Sequence, residues 1–343
     1  MSTTILSQTT TSISVRWNLI GIIGKVAAIR DMHDGAMKAE VSFVDLRRGE
    51  PRDIAMESFN MLTSSARSKY AKLLVEKSDI ELDVWNVILD ELCNLAIRKH
   101  RQGAEVLEMW TMEDVPEPQY LVYPVNPLTQ PSIIFGLGGT GKSYLALYLA
   151  LCAQLPWPDN PLDFGVRADV NRCLYLDYET DENEILYRWK ALVKGHNLPD
   201  SPILYRRGLR PLREDADEIA AICGKHNAKV LVVDSLAAAA GGDLMHESAL
   251  NFFRALRELP VTPIIIAHTS KGSNEEGDDG KTVFGSAFFT NYARSVWELR
   301  SKTQPESKEI VVTLHNRKTN RGMHGDIKYR LRFSKGKTSV EAV

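Results

Sequence analysis

Residues 136–143 read Gly136-Leu137-Gly138-Gly139-Thr140-Gly141-Lys142-Ser143, a complete G-x-x-x-x-G-K-[ST] pattern. An apolar run, Ser132-Ile133-Ile134-Phe135, precedes it, and an unbroken apolar stretch from Tyr144 to Leu155 follows it. The first has the make-up of a buried strand and the second the length of a buried helix. In that setting glycines let the backbone wrap phosphate oxygens, while loop amides and the helix N-terminus aim partial positive charge at them. Lys142 is placed to reach the β- and γ-phosphates, and Ser143 offers its hydroxyl to Mg²⁺. Gly136, Gly138, Gly139, Thr140, Gly141, Lys142, Ser143 and the adjoining Tyr144 are therefore the expected nucleotide-binding set, with ATP and Mg²⁺ as cofactors. The bland alternative is a Gly-rich turn with an incidental lysine, and the flanking strand and helix argue against it.

Length and composition set the frame. A chain of 343 residues suggests about two domains. With 44% hydrophobic and 25% charged residues it has the composition of a soluble globular protein, and no apolar run is long enough to span a membrane. A formal net charge of −2 gives no global field for nucleic acid, so local patches must carry any such argument. Cys93, Cys152, Cys173 and Cys223 are widely spaced in apolar contexts and form no C-x-x-C pair. They read as buried free thiols in a reducing, cytoplasmic compartment.

Along the chain, residues 1–12 are Ser/Thr-rich, without a basic region or apolar core, and read as a disordered tail rather than a signal peptide. Residues 13–105 form a small α+β N-terminal module. Ile13 to Val15, Leu19 to Ile29 and Ala39 to Leu46 alternate like strands, with turn chemistry at Asp31 to Gly35. Two helices follow, one from Ser64 to Glu76. The other opens at Ser78-Asp79-Ile80-Glu81, a capping box, and stops at Gly103. Residues 106–131, punctuated by Pro116, Pro118, Pro124, Pro127 and Pro131, read as an extended linker or an apron laid on the next domain. Residues 132–343 alternate strands and helices, which predicts an α/β fold with a mostly parallel sheet.

Further pieces of a nucleotide site lie in that region. Lys229 to Val233 is an apolar strand ending in Asp234, which can hold Mg²⁺ opposite Ser143. Without the phosphate loop, a strand ending in Asp would be read as a turn or helix cap. Ser235 stands where many ring ATPases carry a catalytic glutamate, so the water-polarising base must come from elsewhere. Glu179, closing Cys173-Leu174-Tyr175-Leu176-Asp177-Tyr178-Glu179, is the best candidate if its strand neighbours the loop strand. Asp177 competes with it, and Asp181 and Glu182 read as helix-start charges. His268, at the tip of Ile264-Ile265-Ile266-Ala267, can sense the γ-phosphate; a lone His is more often structural or merely exposed.

With those residues in place, residues 118–335 resemble the RecA-like P-loop ATPase core of the RepA-type plasmid replicative helicases. They also resemble the broader AAA_25 group of phage and mobile-element replication proteins. Gly285-Ser286-Ala287 and Ala293-Arg294-Ser295-Val296-Trp297 add to the likeness. The resemblance implies a homo-hexamer or similar ring, hydrolysis between subunits and single-stranded DNA in a central channel. It also implies a DNA replication role, Glu179 as catalytic glutamate and His268 as γ-phosphate sensor. A site shared between subunits needs an arginine finger. Arg294 and Arg317 are the candidates, and the finger's place beyond a late strand in related helicases favours Arg317.

The DNA question turns on charge. Ala237 to His246 and Ser270 to Phe284 are the loops expected to face a channel. The second carries Glu275, Glu276, Asp278 and Asp279 against Lys271 and Lys281, a poor match to phosphates. Arg317, Lys318, Arg321, Lys328, Arg330, Arg332, Lys335 and Lys337 gather near the C-terminus, and Arg206, Arg207, Arg210 and Arg213 form a second group. Both read equally as DNA contacts or as solvated faces, the second group paired with Glu214, Asp215 and Asp217.

The leading expectation is an ATP-driven ring motor on single-stranded DNA, with a replication protein as possible partner and no membrane association. The alternative is a RecA/KaiC-type regulatory ATPase that switches protein contacts without translocation. No lid of clustered arginines or acceptor-site motif stands out in the sequence to favour a P-loop kinase, and Glu179 argues against a scaffold that does not hydrolyse.

Overall fold

The computed structural model describes residues 2–8, 12–32, 34–102, 117, 119–169, 171–242, 246–269, 287–302, 308–320, 322 and 324–343. The chain divides into two compact units, residues 1–113 and 114–343.

The first unit is an antiparallel meander of β1 (Thr3–Gln8), β2 (Ile13–Trp17), β3 (Ile22–Asp31), β4 (Met37–Asp45) and β5 (Arg52–Asn60), ordered as in sequence. Helices α1 (Ser64–Lys77) and α2 (Leu82–Gln102) follow. Period-two alternation puts Ile13, Val15 and Trp17 of β2, and Met37, Ala39, Val41 and Phe43 of β4, on one buried face. Tyr70, Leu74, Trp85, Ile88 and Leu92 cover that face.

Two expectations are corrected here. The tail 1–12 is not disordered throughout, because Thr3–Gln8 is a strand paired antiparallel to β2. All its side chains are exposed, so backbone pairing rather than burial holds it, which a hydrophobic pattern cannot reveal. The capping box at Ser78 does not form either. Ser78 is the C-cap of α1, its Oγ donating to the Leu74 carbonyl at 2.7 Å, and α2 begins at Leu82. Gly103, the expected stop, lies outside the described residues.

The second unit runs β6 (Tyr120–Tyr123), β7 (Asn126–Pro127), β8 (Ser132–Gly136), α3 (Lys142–Gln154), β9 (Gly165–Val166), β10 (Arg172–Asp177), α4 (Glu182–Gly195) and β11 (Leu204–Arg207). It continues with α5 (Leu212–His226), β12 (Ala228–Asp234), α6 (Leu236–Ala239), α7 (His246–Glu258) and β13 (Thr262–His268). Then come α8 (Ala287–Tyr292), β14 (Ser295–Lys302), β15 (Glu309–Thr319), β16 (Ile327–Ser334) and β17 (Lys337–Ala342). Among the described residues the main sheet has the order β11-β10-β12-β13-β8-β14-β15-β16-β17. From β11 to β14 neighbours are parallel, and from β14 to β17 they are antiparallel.

Both faces of the parallel part are buried, as its continuous apolar runs require. On one face Leu145, Tyr148 and Leu149 of α3 pack with Tyr175, Val232 and Ile266. On the other, Ile219 of α5 and Phe252 and Phe253 of α7 pack with Leu176, Val233 and Ile265. Helix α3 is apolar all round because it lies inside the unit rather than on its surface.

The 106–131 stretch is an apron rather than a free linker where it is described. Strand β6 pairs with β7 and β9, and Leu121, Val122 and Val125 are buried in the core of the second unit. All four cysteines are free and buried. Among the described residues no helix is long and apolar enough to cross a membrane.

Candidate active site

The carboxyl ends of β8, β10, β12 and β13 lie along one edge of the sheet, the edge at which parallel α/β sheets bind ligands. Strand β8 feeds the 136–143 loop, and α3 starts at its lysine. Gly141 has φ +89°, in the left-handed region where a side chain is strained. A Cβ on Gly136 would stand 2.5 Å from the Leu299 carbonyl oxygen, so β14 tolerates only glycine there. Lys142 Nζ donates to the carbonyls of Gly136 at 3.0 Å and Leu137 at 2.8 Å, folding the lysine back on its own loop. Burial pushes its pKa down, against the opposing charges of Asp234 and Glu179.

Asp234 ends β12 and is 3% exposed. Its Oδ2 accepts from Ser143 Oγ at 2.9 Å and from Tyr175 Oη at 2.5 Å. Burial raises the Asp234 pKa, and those two hydrogen bonds pull it back toward the ionised form. A hydroxyl beside a carboxylate at the base of a phosphate loop is a hard-oxygen donor set that fits Mg²⁺. Among the described residues no cluster of three or more His, Cys, Asp or Glu offers a dedicated metal cage.

Glu179 reaches this site by an unexpected route. Strand β10 does not neighbour β8; β12 and β13 lie between them. The expected adjacency is wrong, yet the carboxylate arrives because the chain beyond β10 bends over the tip of β12. Tyr178 N–H donates to the Asp234 carbonyl at 2.6 Å, which starts the bend. Asp177, fully buried, holds it: Oδ1 accepts the amides of Glu179 and Thr180 at 3.0 Å each. Its Oδ2 accepts Thr180 Oγ1 at 2.7 Å and Tyr205 Oη at 3.1 Å. Asp177 is thus occupied in shaping the turn and is not the competing acid. Asp181 caps α4, accepting the amides of Asn183 and Glu184.

At the end of that bend Ser235 Oγ donates to Glu179 Oε1. His268, level with Gly136 in the pairing of β13 and β8, brings Nε2 to 3.2 and 3.3 Å from the two Glu179 oxygens. The His268 hydrogen bond holds the Glu179 pKa below the usual carboxylate range, burial opposing it and Ser235 assisting. The cleft between these groups, about 260 Å³, is lined by Gly139, Lys142, Ser143, Glu179, Asp234 and His268. Its other wall is Tyr144 and Phe333, edge to face at 5.2 Å, with the Arg188 guanidinium 5.5 Å from the Tyr144 ring centre.

The two arginines are not part of this cleft. Arg317 is bound within the chain, its Nε donating to Glu298 Oε2 at 2.7 Å, while Arg300 Nε donates to Oε1 at 2.9 Å. Burial pushes the Glu298 pKa up, but the two guanidiniums outweigh it and hold it down. Arg294, before β14, has no side-chain ion pair among the described residues. Its backbone N–H donates to the Pro131 carbonyl at 2.9 Å.

Half of the basic residues in the two groups have partners among the described residues. Arg330 and Arg332 meet Glu309 at 3.3 and 2.7 Å, and Arg332 meets Glu341 at 3.3 Å. Arg206 meets Asp215 and Glu218, each at 3.6 Å, and Arg210 meets Asp215. Lys318 Nζ caps the carbonyl end of α8, donating to Thr290, Asn291 and Ala293. Arg321 and the 270–284 loop lie outside the described residues, and of the 237–246 loop residues 243–245 do so as well.

Sequence reasoning missed Ser235 as a partner of Glu179, Tyr175 as a partner of Asp234, and the Phe333 and Arg188 wall. No local signal marks Tyr175, because its meeting with Asp234 depends on β10 lying beside β12. A family sequence model described as AAA domain (AAA_25) matches residues 99–274, just over half of the chain. No curated protein matches it.

Proposed function

The chain belongs to the AAA domain family, and from that premise we propose that it is an ATP-hydrolysing, RecA-like ring motor of the RepA type. In this reading it acts on single-stranded DNA during replication of a phage or mobile element. P-loop nucleotide binding and ATPase chemistry come with the family; the ring, the DNA and the replication role are our reading. The observation that supports it is the meeting of Glu179, Ser235 and His268 in the cleft beside the phosphate loop, an acid brought there from a strand three places away.

In this account Gly136 to Ser143 wrap the phosphates and Lys142 leaves the Gly136 and Leu137 carbonyls to meet them. Ser143 and Asp234 would hold Mg²⁺, which would supply charge neutralisation to the phosphates. Glu179 accepts the proton of the attacking water, kept ionised by its depressed pKa. His268 bridges that carboxylate and the γ-phosphate, so hydrolysis can be passed to the loop after β13. Tyr144 and Phe333 offer an apolar wall to the nucleobase. We assign the finger to Arg294, because Arg317 already serves Glu298 in its own chain.

A second reading, a RecA/KaiC-type regulatory ATPase without translocation, is favoured by the ion pairing of Arg206, Arg210, Arg330 and Arg332 within the chain. One experiment separates them: the ATPase rate with and without single-stranded DNA at two salt concentrations, with native mass measured alongside. The motor reading expects an assembled ring stimulated by DNA, less so at high salt. A ring with one rate in all conditions sinks it.

A further inference from the structure

Tyr175 stands in the middle of β10, level with Val232 of β12, and is fully buried on the face that α3 covers. Its hydroxyl donates to Asp234 Oδ2, the same oxygen that accepts from Ser143. Both donors therefore converge on one carboxylate oxygen, which fixes the rotation of the carboxylate and leaves Oδ1 to accept from a water of a bound ion.

The position also explains why a tyrosine is useful there. Asp234 is buried, and a buried carboxylate without hydrogen-bond donors is costly and is not held in one rotation. Ser143 is one of its two donors, and Ser143 is needed by the ion itself. The other donor must be a group that does not touch the ion and cannot turn away. A phenol on a central strand, its ring packed in the core beneath α3, meets both requirements.

We propose that Tyr175 is a positioning residue for the Mg²⁺ site, fixing the orientation of the Asp234 carboxylate through its hydroxyl without touching the ion. The proposal rests on the nucleotide reading of the 136–143 loop. Partners of this kind, one layer behind the ligands, typically change metal affinity by about 10- to 100-fold when removed.

The test is the Mg²⁺ dependence of binding of a mant-labelled AMP-PNP, followed by fluorescence in wild type and Tyr175→Phe, with thermal melting alongside. Tyr175→Phe is expected to raise the half-saturating Mg²⁺ concentration about tenfold. Affinity in EDTA should stay within about twofold, because no phosphate contact is lost. Replacing Tyr175 by p-aminophenylalanine, which keeps ring and donor, should stay within about threefold of wild type in Mg²⁺ requirement. If the Phe variant does not fold, this second variant decides alone, and a tenfold rise in it overturns the proposal. An unchanged Mg²⁺ requirement in Tyr175→Phe overturns it as well, reducing Tyr175 to a core aromatic. Wild type that binds the analogue with no Mg²⁺ dependence overturns the site reading itself, a failure visible before any variant is made.

Discussion

Nε2 of His268 stands 3.2 Å from Oε1 of Glu179, joining the tips of β13 and β10 across the intervening β12. Ser235, at the tip of β12, closes the same group from below. Each of the three strands thus supplies one member of a cluster that no two of them could make alone.

That cluster should act as a unit. Ser235→Ala and His268→Ala are each expected to lower kcat about tenfold by releasing Glu179, with nucleotide affinity held in Ser235→Ala and modestly weakened in His268→Ala, which also loses its γ-phosphate contact. In a Glu179→Gln background the same changes should add less than about twofold, because residues acting through one group are not additive. A double-mutant cycle on steady-state hydrolysis reads this. Full additivity would show that Ser235 and His268 work independently of Glu179.

The pH profile gives a separate handle. The His268 hydrogen bond is the largest cause lowering the Glu179 pKa, so removing it raises that pKa. The carboxylate is the active form, and activity falls as pH drops through its pKa. The acid limb of kcat/KM should therefore move to higher pH in His268→Ala than in wild type. A limb that stays put or moves the other way contradicts the assignment.

Glu298 predicts a stability effect away from the site. Its folded-state pKa is depressed, so its pairing with Arg300 and Arg317 contributes fully above the ordinary carboxylate pKa of about 4.3. That contribution is lost as pH falls through the folded value. Glu298→Gln should cost about 1–3 kcal/mol at pH 7 and lower Tm by a few degrees. The difference from wild type should shrink as both are melted at more acid pH.

The arginine assignment is tested by mixing. Arg294→Ala is expected to lower kcat about 1000-fold with nucleotide binding intact. Arg317→Ala should instead lower Tm, since it leaves Glu298 with Arg300 alone. Lys142→Ala and Arg294→Ala subunits, inactive apart, should regain hydrolysis when mixed, because an intact loop then meets an intact finger. No recovery from mixed rings would return the role to another residue.

Much of this was legible in the sequence, and the reasons are local. The phosphate loop, the apolar β12 ending in Asp234 and the apolar β13 ending in His268 each announce themselves by composition over a few residues. Glu179 was legible as a candidate, but the route it takes was not. Strand order is a property of the whole sheet, and β10 reads the same whether it sits beside β8 or three places away. Ser235 was seen as a missing glutamate, while its actual use depends on a bend that Asp177 builds. The exposed β1 left no hydrophobic signal because backbone pairing alone holds it.

The most direct test of the account is ATP hydrolysis by Glu179→Gln, measured beside its affinity for ATP. Bound nucleotide within a few-fold of wild type, with kcat lower by about 100- to 10,000-fold, is the predicted result. Hydrolysis near the wild-type rate would contradict the claim that the acid carried over from β10 is the catalytic base.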